Sequence, residues 1–468
     1  MKRRNGRVKY SICLSILFLY RHTCLTLDNM YLVCCLGRSA AGRNDQNPEM
    51  REMAARICRD YLHGVWKHVT AENMTLKRIR LVSSFDISQY FTVSHLTTDD
   101  TIFIRVYFSF RYYSIFYSGG LSNWLYNVQL PDGAVPIRGE PRQVLLRLYG
   151  QIHGERALEG LITESVIFTL LSERRLGPKL HGIFPGGRIE EYIPARPLLT
   201  DELADPILSC MIAEKMAQIH SMQVPISKEP TWLWDTMTKW LDTATDILEN
   251  IEDVDVRHLK NVNAIRAIDL DHEIKWFRSI ATRHKYPVVF CHNDMQEGNI
   301  LLRQNTRKPE LVLIDFEYCS YNYRAFDIAN HFVEWQYDYT AAEYPFFHER
   351  AASGPTKEQK VNVGVFHLSK HLQRKNHGKI AIFSLASHLF WGLWSIVNAK
   401  LSEIPFGYWV CSRHGLSVFY AFLSLLLFRA FSTYTYLRAR ARYPCSFAYL
   451  LRSFPFHFQT IVAGLCSI

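Results

Sequence analysis

Two short apolar runs, each turning abruptly polar, organise this chain of 468 residues. Val288-Val289-Phe290 leads into CHNDMQEGNILL, and Leu311 to Ile314 leads into DFEYCSYNYRAFDIANHFVEW. Short apolar runs rich in β-formers read as buried strands that carry polar residues at their ends. WLYNVQL, Val144–Tyr149 and Gly187–Pro194 read as further strands. Apolar residues at helical spacing predict amphipathic helices in REMAARICRDYLHGVWKHV, ILSCMIAEKMAQIHSM, TWLWDTMTKWLDTATDILENI and FWGLWSIVNAKL. Residues 251–285 read as a connecting helix and loop. The Met and Trp residues of ILSCMIAEKMAQIHSM and TWLWDTMTKWLDTATDILENI, and His220, read as core.

Composition changes this picture little. The chain is 48% hydrophobic and 21% charged, and it is long enough for two lobes with sizeable cores. Its net charge of +10 lies in the ends. Residues 1–47 carry eight Lys/Arg and two Asp, residues 409–468 carry six Arg and no acid, and the body between them is near neutral. That argues against a nucleic-acid-binding body and leaves open a weak attraction of the ends to anionic membranes. The 11 cysteines show no CxxC pair and no zinc spacing, so a reducing, cytoplasmic setting is expected.

The candidate chemistry sits at the two strand ends. HND followed after four residues by Asn299, and then a strand ending in IDFE, can gather three oxygen-bearing side chains. Either motif alone fits a capped turn. Together they suit phosphoryl transfer, in which Asp294 receives the proton of an attacking hydroxyl while Asn299 and Asp315 hold Mg²⁺ against the phosphates of ATP. Upstream, Ser118-Gly119-Gly120-Leu121-Ser122-Asn123 could be a hairpin turn or a phosphate loop, since paired glycines let backbone N–H groups approach an anion. Arg147 stands alone in its strand, where a salt-bridged and a phosphate-binding role are both open.

Val288–Trp335 resembles the choline/ethanolamine kinases, as do QVLLRLYG, TESVIF, LGPKLHGIFPGGRIEEYIPARPL and ASHLFWGLWSIVNAKLSEIPFGY. HNDMQEGN and FEYCSYNYR resemble the choline kinase branch. The resemblance implies an α+β, two-lobed protein-kinase-like fold with a small antiparallel-sheet N-lobe and a larger, mainly helical C-lobe. It implies phosphorylation of choline, and more weakly of ethanolamine, with ATP and Mg²⁺. It places Ser118, Gly119, Gly120, Ser122, Asn123 and Arg147 at ATP, pairs Arg147 with Glu164, and gives the adenine to the backbone of Glu191, Tyr192 and Ile193. Gln296, Glu317, Tyr318, Glu334, Tyr339, Trp391 and Trp394 are expected around the substrate, because a quaternary ammonium is best held by ring faces and a carboxylate. Core packing is the alternative for Trp394. Family members are commonly homodimers.

Three segments depart from the family pattern. Residues 1–47 start basic and then apolar, resembling a secretory signal too short to span a bilayer, and are expected to be a disordered extension. Residues 81–117 interrupt the N-lobe, 48–195, just before the glycine loop, more than an ordinary connection would require. The C-lobe, 196–408, gives way to a basic, apolar tail, 409–468, that replaces the family's last helix. These departures keep two alternatives open: a catalytically impaired regulatory isoform, and a membrane-associated interaction protein. A kinase of aminoglycosides fits the YNYR and FWGLW segments less well.

Overall fold

The computed structural model describes residues 47–79, 124–149 except 138, 155–250, 254–304, 306–360, 373–402, 404–421 and 423. The glycine loop, the 81–117 segment, the N-terminal extension and most of the tail lie outside the described residues. The chain forms two compact units that divide between Pro194 and Ala195.

The first unit opens with α1, Pro48–Tyr61. Asn47 caps it through its side chain, which accepts from Glu49 N–H, and Pro48 sits where no helix donor is needed. Its buried face, Met50, Met53, Ala54, Ile57 and Cys58, packs against a five-stranded antiparallel sheet. The strands are β1 (Thr75–Ile79), β2 (Trp124–Gln129), β3 (Gln143–Leu148), β4 (Leu180–Phe184) and β5 (Gly187–Glu191), in the order β1-β2-β3-β5-β4. α2, Glu155–Glu173, connects β3 to β4. At the β4–β5 turn a Cβ on Gly187 would lie 2.2 Å from the Arg147 carbonyl oxygen, so only glycine permits β5 to begin so close to β3.

β1 and β2 pair in continuous register, from Thr75 opposite Gln129 to Ile79 opposite Leu125. The ends of the 80–123 connection are therefore sheet neighbours, and the interruption does not break the pairing that flanks it. The entropy of closing a loop grows only slowly with its length. Deleting 81–117 is expected to stabilise the protein by about 1–2 kcal/mol against denaturant. A loss of cooperative unfolding would instead make that segment part of the unit.

The second unit contains the helices α3 (Pro206–His220), α4 (Thr231–Glu249), α5 (Val256–Arg266), α6 (Leu270–Arg283), α7 (Arg324–Glu334) and α8 (Gln373–Leu401). Residues 408–421 form a further helix, α9. Residues 251–285 thus hold two helices where one was expected. Three small sheets carry the loops: β10 (Ser320–Tyr323) on β7 (Val288–Cys291); β6 (Ala195–Pro197) on β8 (Ile300–Arg303), with β9 (Leu311–Leu313) beyond; and β11 (Tyr337–Asp338) on β12 (His348–Glu349). The two apolar runs are β7 and β9, as their patterns predict.

The core of this unit gathers Trp234, Phe277, Phe326, Phe383 and Phe390 with Trp409, Leu416 and Phe419 of α9. The start of the expected tail is therefore part of the core. Tyr420 of α9 donates to the buried Glu273 carboxylate at 2.9 Å, and His414 pairs with Glu349 at 2.6 Å. Ile380–Leu401 is apolar and long enough to cross a bilayer, but 72% of its most apolar window is buried in the unit. It is a core helix.

Candidate active site

β7 and β10 are hydrogen-bonded neighbours, so the loop after Cys291 emerges beside Ser320, with β7's partners fixed from Val288–Tyr323 to Cys291–Ser320. The loop is His292-Asn293-Asp294, and Asn293 takes a left-handed backbone at φ 69°. Asn is among the few residues that tolerate this conformation. Buried groups hold it there. Asp327 of α7 accepts from the backbone N–H of His292 at 3.1 Å and of Asn293 at 2.7 Å, and its Oδ2 lies 2.8 Å from His220 Nε2. The Asn293 amide donates to Tyr318 O and Ser320 Oγ, both at 2.8 Å, and its oxygen accepts from Asn322 at 2.8 Å. Burial opposes ionisation of Asp327, but the hydrogen bond and charge of His220, with His292 and Asn293 N–H, outweigh it and hold the carboxyl below its usual range.

His292 is a fixed neutral ring. Nδ1 accepts from Asp294 N–H at 3.3 Å, so Nε2 carries the hydrogen that it donates to Ile314 O at 3.1 Å. Burial pushes its pKa down, in keeping with that tautomer. His331 does the same further along, donating from Nδ1 to Met295 O at 2.8 Å and accepting from Trp335 Nε1 at 3.2 Å.

The structure brings the two motifs together. The Asn299 amide donates to Asp294 Oδ2 at 2.8 Å and to Asp294 O at 3.0 Å, while Asn299 O accepts from Ile314 N–H at 3.0 Å. The next residue, Asp315, is left-handed at φ 62°. Burial, then the charges of Glu334 and Asp315, push the Asp294 carboxyl well above its ordinary pKa. The Oδ1 of Asn299 is buried with no hydrogen-bond partner. An orphaned amide oxygen beside carboxyls that repel one another suits a hard divalent cation.

A pocket opens on Asp294. Gln296, Glu334, Tyr337, Tyr339, Trp391 and Trp394 line it, and Phe406, Cys411 and Gly415 supply a further wall. The Trp391 and Trp394 rings meet edge-on with centroids 5.7 Å apart. Tyr337 and Tyr339 lie parallel at 6.3 Å. Tyr339 donates to Glu334 Oε2 at 2.9 Å, and burial raises the Glu334 pKa to about 7 despite that bond. Asn330 joins loop and pocket: it donates to Asn293 O at 3.3 Å and accepts from Ser387 Oγ at 2.7 Å and Trp391 Nε1 at 2.6 Å.

Two expected pocket residues sit elsewhere. Glu317 is exposed at the tip of the turn closed by Cys319 N–H on Phe316 O, so it does not line the pocket. Tyr318 is buried behind the wall, edge-on to Trp391 at 5.8 Å. His220, read as core from sequence, has a polar task on Asp327. Cys411, Asn330 and Asp327's double contact with the loop carried no sequence signal, because their partners are remote in the chain.

In the first unit, Arg147 and Arg188 face each other across β3 and β5, and Glu190 shares their side of the sheet. Arg147 Nε pairs with Glu190 at 2.8 Å, and Arg188 reaches Glu190 at 2.7 Å and Glu164 at 2.6 Å. The expected pair is thereby corrected: Glu164 goes to Arg188, and Arg147 finds Glu190. Burial opposes ionisation of Glu190, but Arg147 and Arg188 hold it below the usual carboxylate range. Glu191 ends β5, its N–H on Lys179 O at 2.7 Å, and the half-buried Tyr192 and Ile193 lead out of the strand. Ser118, Gly119, Gly120, Ser122 and Asn123 are outside the described residues.

Comparison with known proteins adds four findings. The profile of the choline/ethanolamine kinase family matches residues 115–420, past the boundary expected at Tyr408. A choline/ethanolamine kinase of Homo sapiens is 40% identical over 402 residues, 82% of this chain and 90% of that protein. Choline kinase alpha of Mus musculus is 44% identical over 324 residues, 62% of this chain and 71% of that protein. The crystal structure of a choline kinase from Cryptosporidium parvum shares the fold, with a TM-score of 0.59 at 22% identity over 81% of this chain and 97% of that one.

Proposed function

This chain belongs to the choline/ethanolamine kinase family, and from that premise we propose that it transfers the γ-phosphoryl group of ATP to the hydroxyl of choline, and more weakly to that of ethanolamine. The observation that carries the reading is the pocket in which Glu334 and the rings of Trp391, Trp394, Tyr337 and Tyr339 surround a space reaching Asp294. A quaternary ammonium offers no N–H, so ring faces and one carboxylate are its best partners. With the cation there, a hydroxyl two carbons away can approach Asp294, which takes its proton as the oxygen attacks phosphorus.

Asn299 and Asp315 would hold Mg²⁺, which when bound neutralises charge on the phosphates of ATP. The chain's own part is positioning. Asp327 and Asn293 fix the loop, Asn299 orients the Asp294 carboxylate, and Asn330 sets Trp391 against the same loop. Arg147, Glu191, Tyr192 and Ile193 of the first unit, with the 118–123 loop, are assigned to ATP on the family resemblance. Phosphocholine made this way serves phosphatidylcholine synthesis. We place the protein in the cytoplasm, for which the free thiols of Cys58, Cys210, Cys291 and Cys411 are suited, and take it to form homodimers. The intact motif set speaks against an impaired isoform.

The test is ATP-dependent formation of phosphocholine by the full chain, with ethanolamine assayed beside choline. No product from either amino alcohol, from folded protein, overturns the reading. The pocket also predicts a pH dependence. With its pKa near 7, Glu334 is neutral below that pH and loses its attraction for the cation. Equilibrium binding of choline, measured by calorimetry, is expected to weaken progressively toward about tenfold per pH unit below 7. Glu334→Gln should bind weakly at every pH, without that slope. An unchanged slope in the variant would move the titration to another group.

A further inference from the structure

The wall of the amine pocket contributed by α9 contains a thiol. Cys411 sits in the first turn of that helix, its N–H on Gly407 O at 2.8 Å, and it lines the same space as Glu334, Trp391, Trp394 and Tyr339. Its side chain is half-buried and free. Beside it on α8, Ser395 also lines the pocket, fully buried, and its hydroxyl has no hydrogen-bond partner. The Cys411 sulfur is its polar neighbour, a weak partner whose contact with the hydroxyl favours the thiolate slightly against burial. A cation-attracting carboxylate, ring faces, a buried hydroxyl and a thiol therefore share one cavity.

We propose that Cys411 is a modification site for small cationic disulfides and thiosulfonates, those with an ammonium two carbons from the reactive sulfur, and that the adduct occupies the amine pocket. The proposal rests on the amino-alcohol reading of the pocket. The Cys411 thiolate attacks the reagent sulfur nearest the ammonium-bearing carbons. A new S–S bond forms as the old one breaks, the leaving thiolate or sulfinate departs with the electron pair, and the thiol proton goes to solvent. No outside oxidant is needed, and a dithiol reverses the step.

Burial raises the Cys411 thiol to about 11, so an ordinary reagent finds little thiolate there. A bound cation favours the thiolate and is concentrated by Glu334. Selectivity should follow charge rather than intrinsic reactivity.

The experiment treats the full chain with trimethylammonium-ethyl methanethiosulfonate, with its anionic sulfonatoethyl counterpart, and with either in the presence of saturating choline. Labelling of each cysteine is followed by peptide mass mapping. Cys411 should react roughly tenfold or more faster with the cationic reagent. Choline should slow it, activity should fall in step with Cys411 labelling, and dithiothreitol should restore it. Cys411→Ser, compared with its own untreated activity, should resist the reagent. Labelling of Cys411 that ignores both charge and choline overturns the proposal, as does equal loss of activity in Cys411→Ser. Either result beside normal choline phosphorylation by the untreated chain leaves the kinase reading standing. Absence of that phosphorylation sinks the kinase reading instead.

Discussion

Asp294→Ala is expected to lower kcat for choline phosphorylation by roughly 10²- to 10⁴-fold, the usual contribution of a positioned general base. Asp294 is the carboxylate that Asn299 orients where the loop meets the pocket, through a 2.8 Å bond to Oδ2. Its neighbours argue that the fold will survive. Asp294 lies half-buried against the pocket, and the loop itself is held by Asp327 and Asn293. Removing one of several mutually repelling carboxyls relieves a cost that burial imposes. Thermal unfolding should therefore shift little or upward, while turnover collapses. Asn299→Ala should also lose kcat and, by freeing the Asp294 carboxylate, should not be additive with Asp294→Ala. A kcat for Asp294→Ala within tenfold of the parent would remove Asp294 from the chemistry.

What the sequence revealed follows from which interactions are local. β7 and β9 were legible because each is a short apolar run with its chemistry at the end, and HND, Asn299 and Asp315 lie within one such segment or the next. The helices were legible as helices, but a periodic apolar face does not say what covers it. α9 shows this. Its sequence suggested a basic, apolar tail that replaces the family's last helix, yet Trp409, Leu416 and Phe419 are core. Arg147 and Glu164 were expected as partners on the family resemblance alone. The pairing was decided instead by cross-strand register, which sets Arg188 opposite Arg147. Glu317 is exposed in the turn at 316–319 and is not among the residues that line this pocket, a matter of backbone geometry rather than residue type.

Asp327→Ala should have the largest effect on stability, about 3–5 kcal/mol, as expected for breaking a buried charged hydrogen-bond set. The residue is 1% exposed and receives two backbone N–H groups as well as lying on His220. Alanine would strand both N–H groups where no water reaches them, at a φ that Asn293 keeps only under constraint. Denaturant unfolding reads the loss, and kcat should fall with it because the displaced loop carries Asp294. His220→Ala separates the two effects. It removes one partner and leaves both backbone contacts, so it should cost about 1–2 kcal/mol and leave kcat nearly unchanged. The carboxyl's depressed pKa fixes the sign with pH. Its contribution is present above the ordinary value of 3.8 and disappears as pH falls through the lower folded-state value. Acid unfolding of the parent should accordingly be steep in that range, and that of Asp327→Ala shallower. If Asp327→Ala unfolds like the parent and loses only kcat, the carboxylate holds the loop without supporting the fold. If both stability and kcat survive, the loop is held by Asn293 and its own partners alone.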